Sequence, residues 1–214
     1  MDKIVCVGKN YLLHAQELGD AIPDKPVLFL KPPSVLRAIA AGEENVTLVL
    51  PPHAGEMHHE IEIVLRLDRG GYRLDVKEAE RLIGAVTMGL DMTLRERQAN
   101  AKKNGHPWTT AKVFPDAAVI GPWQRVSEFP NYCTEKFSLA IDGQLRQEGF
   151  GRDMVLSPAE CVAYISEFFP LQAGDIIFTG TPQGVGPVVA GNRGTLQWGT
   201  MRYTVNWKNY DSHK

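Results

Sequence analysis

Glu60 and Glu62 stand two residues apart in His59-Glu60-Ile61-Glu62-Ile63-Val64-Leu65-Arg66-Leu67. Side chains alternate along a strand, so Ile61, Ile63, Leu65 and Leu67 take one face and the two carboxylates share the other. Two carboxylates that close repel unless something positive lies between them, and a divalent cation does this best. The plainer alternative is a charged sheet edge facing water. Asp91 interrupts the apolar, glycine-containing run Ala85-Val86-Thr87-Met88-Gly89-Leu90, where an unpaired carboxylate carries a heavy desolvation cost. It either joins the pair or caps the helix that follows. Three carboxylates without a cysteine suit a hard cation, Mg²⁺ or Mn²⁺, with water completing the shell.

Other residues have the types and spacing to act beside such an ion. His14 and Glu17 are three apart on a short helix, so their side chains can meet, and a carboxylate holding an imidazole is a usual base for activating water. The alternative is an exposed pair on an amphipathic helix. Arg95 and Gln98 are also three apart on a helix and, with Lys112, could bind anionic substrate atoms; Arg95-Glu96-Arg97 reads equally as a solvated face. Lys112 lies among apolar neighbours in Thr109-Thr110-Ala111-Lys112-Val113-Phe114, and a lysine in such company needs a reason. The glycine-rich Thr179-Gly180-Thr181-Pro182-Gln183-Gly184-Val185-Gly186 lacks the Gly-Lys-Ser/Thr ending of a phosphate loop, but its backbone amides could bind a carboxylate.

These residues must be carried by a strand-rich frame. Strands are predicted at 3–7, 27–30, 46–50, 60–67, 85–92, 175–179 and 200–207, and Asp142-Gly143 between apolar flanks predicts a two-residue hairpin over 138–148. Helices are predicted at Tyr11 to Leu18, stopped by Gly19, at 76–82 and at 94–104. Another opens at Ser157-Pro158-Ala159-Glu160, a capping box, and runs to about Phe169. Short helices among strands in irregular order predict an α+β fold with a dominant β core rather than alternating βαβ units.

The chain has 214 residues, 23 Lys plus Arg against 25 Asp plus Glu, and 43% hydrophobic residues, enough for one domain with its own core. A formal charge of -2 with no long basic run gives no footprint for nucleic acid or an anionic membrane, so small-molecule partners are expected. Three cysteines without ligand spacing fit free thiols in a reducing compartment. With neither a signal-peptide pattern nor an 18-residue apolar run, a cytoplasmic protein is expected.

The order and spacing of several short motifs resemble the fumarylacetoacetate hydrolase family, especially its short acylpyruvase and oxaloacetate decarboxylase-like members. These motifs are Gly8-Lys9-Asn10-Tyr11 with His14 and Glu17, Phe29-Leu30-Lys31-Pro32, His58-His59-Glu60-x-Glu62 and Leu90-Asp91-Met92-Thr93 with Arg95 and Gln98. Pro107-Trp108-Thr109-x-Ala111-Lys112, Gln144-Leu145-Arg146-Gln147 and Gly174-Asp175-Ile176-Ile177-x-Thr179-Gly180-Thr181-Pro182 complete them. The resemblance implies a mixed β-roll over residues 1–214, commonly dimeric, with residues 11–19 as a mobile lid. It implies that Glu60, Glu62 and Asp91 hold Mg²⁺ or Mn²⁺ and that His14 and Glu17 activate water. Arg95, Gln98 and Lys112 would serve the oxyanion and substrate site, with Gly180 and Thr181 meeting a substrate carboxylate.

A 2-oxo acid chelating such a metal yields an enolate. That intermediate serves carbon–carbon hydrolysis, decarboxylation and isomerisation alike. Hydrolysis of an acylpyruvate is the first expectation. The alternatives are an oxaloacetate decarboxylase or a 2-hydroxyhepta-2,4-diene-1,7-dioate isomerase, and, from a different class, a non-catalytic metabolite-binding module.

Overall fold

The structure, a computed structural model, describes residues 1–17, 25–40, 42–53 and 55–210. In chain order the elements are β1 (Ile4–Gly8), α1 (Leu12–Glu17), β2 (Val27–Lys31), β3 (Leu36–Ala38), β4 (Asn45–Leu50), β5 (Met57–His59) and β6 (Ile61–Leu67). Then come α2 (Val76–Glu80), β7 (Ile83–Asp91), β8 (Thr93–Leu94), α3 (Arg95–Lys103), α4 (Thr109–Lys112), β9 (Ala118–Ile120) and β10 (Gln124–Arg125). The chain finishes with β11 (Phe137–Ile141), β12 (Gln144–Gly149), α5 (Pro158–Ser166), β13 (Ile176–Phe178), β14 (Gly186–Val188), β15 (Arg193–Trp198) and β16 (Met201–Asn209).

Two mixed sheets and a small antiparallel one result among the described residues, as the irregular element order predicts. The largest runs β2-β1-β13-β6-β7-β9-β3, with β10 also paired to β7; a second runs β12-β11-β15-β16-β4, and a small third runs β14-β5-β8. β6 lies inside the large sheet, antiparallel to both β13 and β7, and is buried on both faces. A charged edge facing water is thereby excluded for Glu60 and Glu62. Asp91 ends β7 opposite them, and the residue capping α3 is Leu94, so the capping alternative for Asp91 falls as well.

Burial of large side chains between the sheets holds the frame together. Trp198, Trp207, Tyr203 and Phe137 are among the largest fully buried side chains, and Tyr203 ties the five-stranded sheet to β7 by donating to Met88 O at 2.8 Å. The hairpin turn has Asp142 at φ 51° and Gly143 at φ 80°, the left-handed pair of a type I′ turn. The α5 capping box forms, with Ser157 Oγ accepting from Glu160 N and Glu160 reaching back to Ser157 N; the helix ends at Ser166, short of Phe169. Tyr11 pairs with Met154 in a bridge rather than opening α1. Residues 18 and 19 of the expected lid lie outside the described residues. None of the three cysteines is in a disulfide, and no described helix is long and apolar enough to cross a membrane.

Asp175 anchors the start of β1 to β13. Its buried carboxylate accepts from the amides of Asp2, Lys3 and Gln172 and from Lys3 Nζ at 2.8 Å. Burial alone would raise its pKa, but the Lys3 ammonium and the three amides outweigh it and hold the carboxyl below the usual aspartate range. Asp175→Ala is expected to cost about 2–3 kcal/mol, read as a lower denaturant midpoint. Because the folded-state value is the lower one, this stabilisation is complete above the unfolded pKa and disappears as pH falls through the folded one.

Candidate active site

Glu60, Glu62 and Asp91 converge: one ligand oxygen from each lies within 4.8 Å of the others, and all three residues are buried. Pairing of Ile61 with Leu90 brings the start of β6 to the end of β7, and Asp91 N donates to Glu60 O at 2.9 Å. Glu62 receives the Gly180 amide at 2.6 Å. Gly180 has φ +101°, and a Cβ there would stand 2.8 Å from Asn10 Cβ and 3.0 Å from Val7 O, so only glycine places this amide without strain.

Cations ring the carboxylates. Lys112 Nζ lies 2.6 Å from Asp91 Oδ2, 2.9 Å from Glu60 Oε2 and 2.6 Å from Thr93 Oγ1. Burial would favour loss of its proton, but Asp91 and Glu60 outweigh burial and raise its pKa above the usual lysine range. Beside the unmetallated carboxylates Lys112 is thus held in its charged form. Arg95 reaches Glu60 Oε1 with Nη2 at 2.7 Å and Gln98 Oε1 with Nη1 at 2.7 Å, so the predicted helical spacing does join these two side chains, and Gln98 is buried.

The sequence pattern gives Lys31 no role. Its buried ammonium lies 2.6 Å from Asp91 Oδ1 and donates to the carbonyls of Ala117 and Met92. The signal was present, since Lys31 closes the apolar run Val27-Leu28-Phe29-Leu30, the same anomaly that marked Lys112. Gln147 was quoted only within a motif. Its Oε1 accepts from Ile61 N at 3.0 Å and contacts His59 Nδ1 at 2.8 Å, while Nε2 donates to Thr181 Oγ1 and Pro182 O. It thus clamps the strand bearing Glu60 and Glu62 to the glycine-rich loop.

The triad has the chemistry of a hard-cation site. The three oxygen-donor carboxylates are held close despite their mutual repulsion. Asp91 Oδ1 is buried without a hydrogen bond and has the Lys31 ammonium 2.6 Å away as its ion-pair partner. Burial, followed by Asp91, pushes the Glu62 carboxyl well above the usual range, a strain that a divalent cation would relieve.

The cleft in front of the triad is lined by Glu60, Glu62, Asp91, Arg95, Gln98, Lys112 and Thr181, with Lys9, Phe29, Lys102 and Trp108 among its further walls. Gly180 N is committed to Glu62, and Thr181 Oγ1 donates to Ile61 O while accepting from Gln147 Nε2, both at 2.8 Å. Glu17 lies beside the same loop, exposed, with both oxygens accepting from Gly184 N at 3.1 and 3.2 Å. His14 is on α1, but its side chain lies outside the described ones.

A family model, fumarylacetoacetate (FAA) hydrolase C-terminal, matches residues 3–206. The chain belongs to the fumarylacetoacetate hydrolase family. It is 36% identical over 199 residues to oxaloacetate tautomerase YcgM of Escherichia coli, covering 92% of this chain and 88% of that protein. Identity to the mitochondrial oxaloacetate tautomerase FAHD1 of Arabidopsis thaliana is 40% over 194 residues, covering 89% and 83%. The crystal structure of fumarylpyruvate hydrolase from Pseudomonas aeruginosa in complex with Mn²⁺ and pyruvate superposes with a TM-score of 0.90 at 34% identity, covering 98% of this chain and 91% of that one. Family membership makes the chain an enzyme homologue and agrees with the strand-rich α+β fold.

Proposed function

We propose that the chain is a divalent-metal-dependent enzyme that interconverts the keto and enol forms of oxaloacetate or a closely related 2-oxo acid. The buried triad ringed by Lys31, Arg95 and Lys112 carries this reading. Glu60, Glu62 and Asp91 would hold Mg²⁺ or Mn²⁺. When bound, that ion would polarise the substrate's carboxylate and keto oxygens and so favour negative charge at the adjacent carbon.

The chain's own groups do the rest. Lys112 and Arg95 stand as fixed cations beside the developing oxyanion, Gln98 and Thr181 orient the substrate at the cleft walls, and Trp108 with Phe29 supplies an apolar flank. His14 and Glu17 move the proton. Their helix spans only six residues and exposes Leu12 and Leu13, too short to be stable alone, which suits a segment that closes over bound substrate and excludes water. The tautomerase names of the relatives support oxaloacetate as the substrate. A second reading, hydrolysis of an acylpyruvate by the same enolate, is favoured by the relative solved with Mn²⁺ and pyruvate.

The deciding experiment strips the protein of metal, reloads it with Mg²⁺ or Mn²⁺, and follows decay of enol-oxaloacetate and cleavage of acetylpyruvate side by side. Metal-restored enol decay exceeding cleavage supports the first reading. Dominant cleavage supports the second, and unchanged turnover in excess chelator contradicts both.

A further inference from the structure

Gln147 breaks a local rule. It stands two residues from Leu145 on β12, and regular alternation would put both on one face, yet Leu145 is 58% exposed and Gln147 1%. The cause is a β-bulge. Leu139 of β11 pairs with Gln147 and Ala140 with Leu145, so Arg146 has no residue opposite it on β11, and an extra residue of this kind re-aims its neighbours. A hairpin that turns a leucine to water and an amide to the interior forgoes burial of apolar surface, and such violations gather at functional sites.

The amide lands where the chain changes sheets. β5 ends at His59 and β6 begins at Ile61, in different sheets, with Glu60 alone between them. Gln147 Oε1 accepts from Ile61 N at 3.0 Å and meets His59 Nδ1 at 2.8 Å, so one oxygen gathers the residues on both sides of Glu60. At its other end Nε2 donates to Thr181 Oγ1 at 2.8 Å and to Pro182 O at 2.9 Å, in the loop whose Gly180 amide holds Glu62. That loop joins β13 to β14, the neighbours of β6 and β5, and so straddles the same switch. β12 presses on it closely enough that a Cβ on Gly184 would run into Arg146 O.

A backbone donor at one end and a backbone acceptor at the other allow only one orientation of the amide. Because Oε1 can only accept, His59 carries its proton on Nδ1. Glu60 and Glu62 repel each other, so their aim must be fixed from outside the pair, and partners of this kind behind metal ligands are typically worth about 10- to 100-fold in metal affinity.

We propose that Gln147 is a positioning residue for the cation site, fixing the aim of Glu60 directly and of Glu62 through Gly180, and so setting how tightly a divalent ion is held. It rests on the metal reading of the triad above.

The test is equilibrium dialysis of Mn²⁺ against the full chain, together with the electron paramagnetic resonance spectrum of the bound ion. Gln147→Met keeps the length and loses all four contacts. Gln147→Asn keeps an amide in the buried position but is too short to span both ends, and it decides alone if the methionine variant does not fold. Asp175→Ala is the control, since it removes a buried anchor at the opposite end of β13 from Gly180. Both Gln147 variants should bind Mn²⁺ about 10- to 100-fold more weakly than wild type, with an altered spectrum of the bound ion. Asp175→Ala should lose stability yet hold Mn²⁺ within twofold of wild type, its spectrum unchanged. Gln147 variants that are destabilised but keep wild-type affinity and spectrum would leave Gln147 a structural residue and overturn the proposal, as would an equal loss of affinity in Asp175→Ala. If wild-type binding is absent or survives Glu62→Ala, the metal reading itself fails and the proposal falls with it.

Discussion

Glu62→Ala should lower metal-dependent turnover of oxaloacetate by about 10³-fold or more while the protein stays folded. The ion is asked to supply several kcal/mol of charge stabilisation, and each 1.36 kcal/mol is a factor of ten in rate. A carboxylate retained for structure would cost stability when removed. Glu62 differs in part, because burial and the neighbouring Asp91 already penalise its charge, although its removal also leaves the Gly180 amide without its partner. The metal-free variant should therefore stay folded, losing no more than about 1–3 kcal/mol, and equilibrium dialysis should show loss of bound Mn²⁺. Turnover within tenfold of wild type in the dialysed, reloaded variant would remove Glu62 from the metal site.

Loss of the His14 and Glu17 pair should separate reactions that share the enolate. Tautomerisation and acylpyruvate hydrolysis both move a proton, whereas decarboxylation of oxaloacetate needs chiefly the metal and a carboxylate held in the right orientation. His14→Ala or Glu17→Gln is expected to lower the two proton-dependent reactions by roughly 10² to 10⁴, the usual contribution of a positioned acid–base group. Any decarboxylation should fall much less, while Glu60→Ala removes all three. Assays on one preparation of measured metal content make the comparison. If tautomerisation and hydrolysis both survive His14→Ala at normal metal occupancy, another group moves the proton. Glu17 adds a structural check. It accepts from the amide of Gly184 in the glycine-rich loop, so Glu17→Gln, which weakens that charge-assisted bond, should loosen α1, and hydrogen exchange of residues 11–17 should rise in the metal-loaded variant.

What the sequence shows and what it hides follow from the length scale of each signal. The alternation over Ile61–Leu67, the Asp142-Gly143 turn and the capping box at Ser157 are local patterns of four to nine residues, and each forms. Three-residue strands such as Leu36–Ala38, Met57–His59 and Gly186–Val188 have no period to read, and only their partners across the sheets create them. The carboxylates were legible because acidic residues in apolar company demand compensation. The compensation itself was only half legible. Lys112 stands out by its apolar neighbours, whereas Lys31, which also follows an apolar run, enters the sequence reading only within the motif Phe29-Leu30-Lys31-Pro32. Gln147 could not be read at all as a clamp, since an amide in a polar hairpin gives no sign that it is buried 86 residues from its partner Ile61.

The central claim is that Glu60, Glu62 and Asp91 together hold one divalent cation. Diffraction at the manganese absorption edge, from a crystal grown with Mn²⁺, tests it most directly. A single anomalous peak roughly 2.0–2.3 Å from an oxygen of each of the three carboxylates, with Lys112 still beside Asp91, is the expected result. An empty triad in the presence of saturating Mn²⁺, or a peak elsewhere on the chain, would contradict the account.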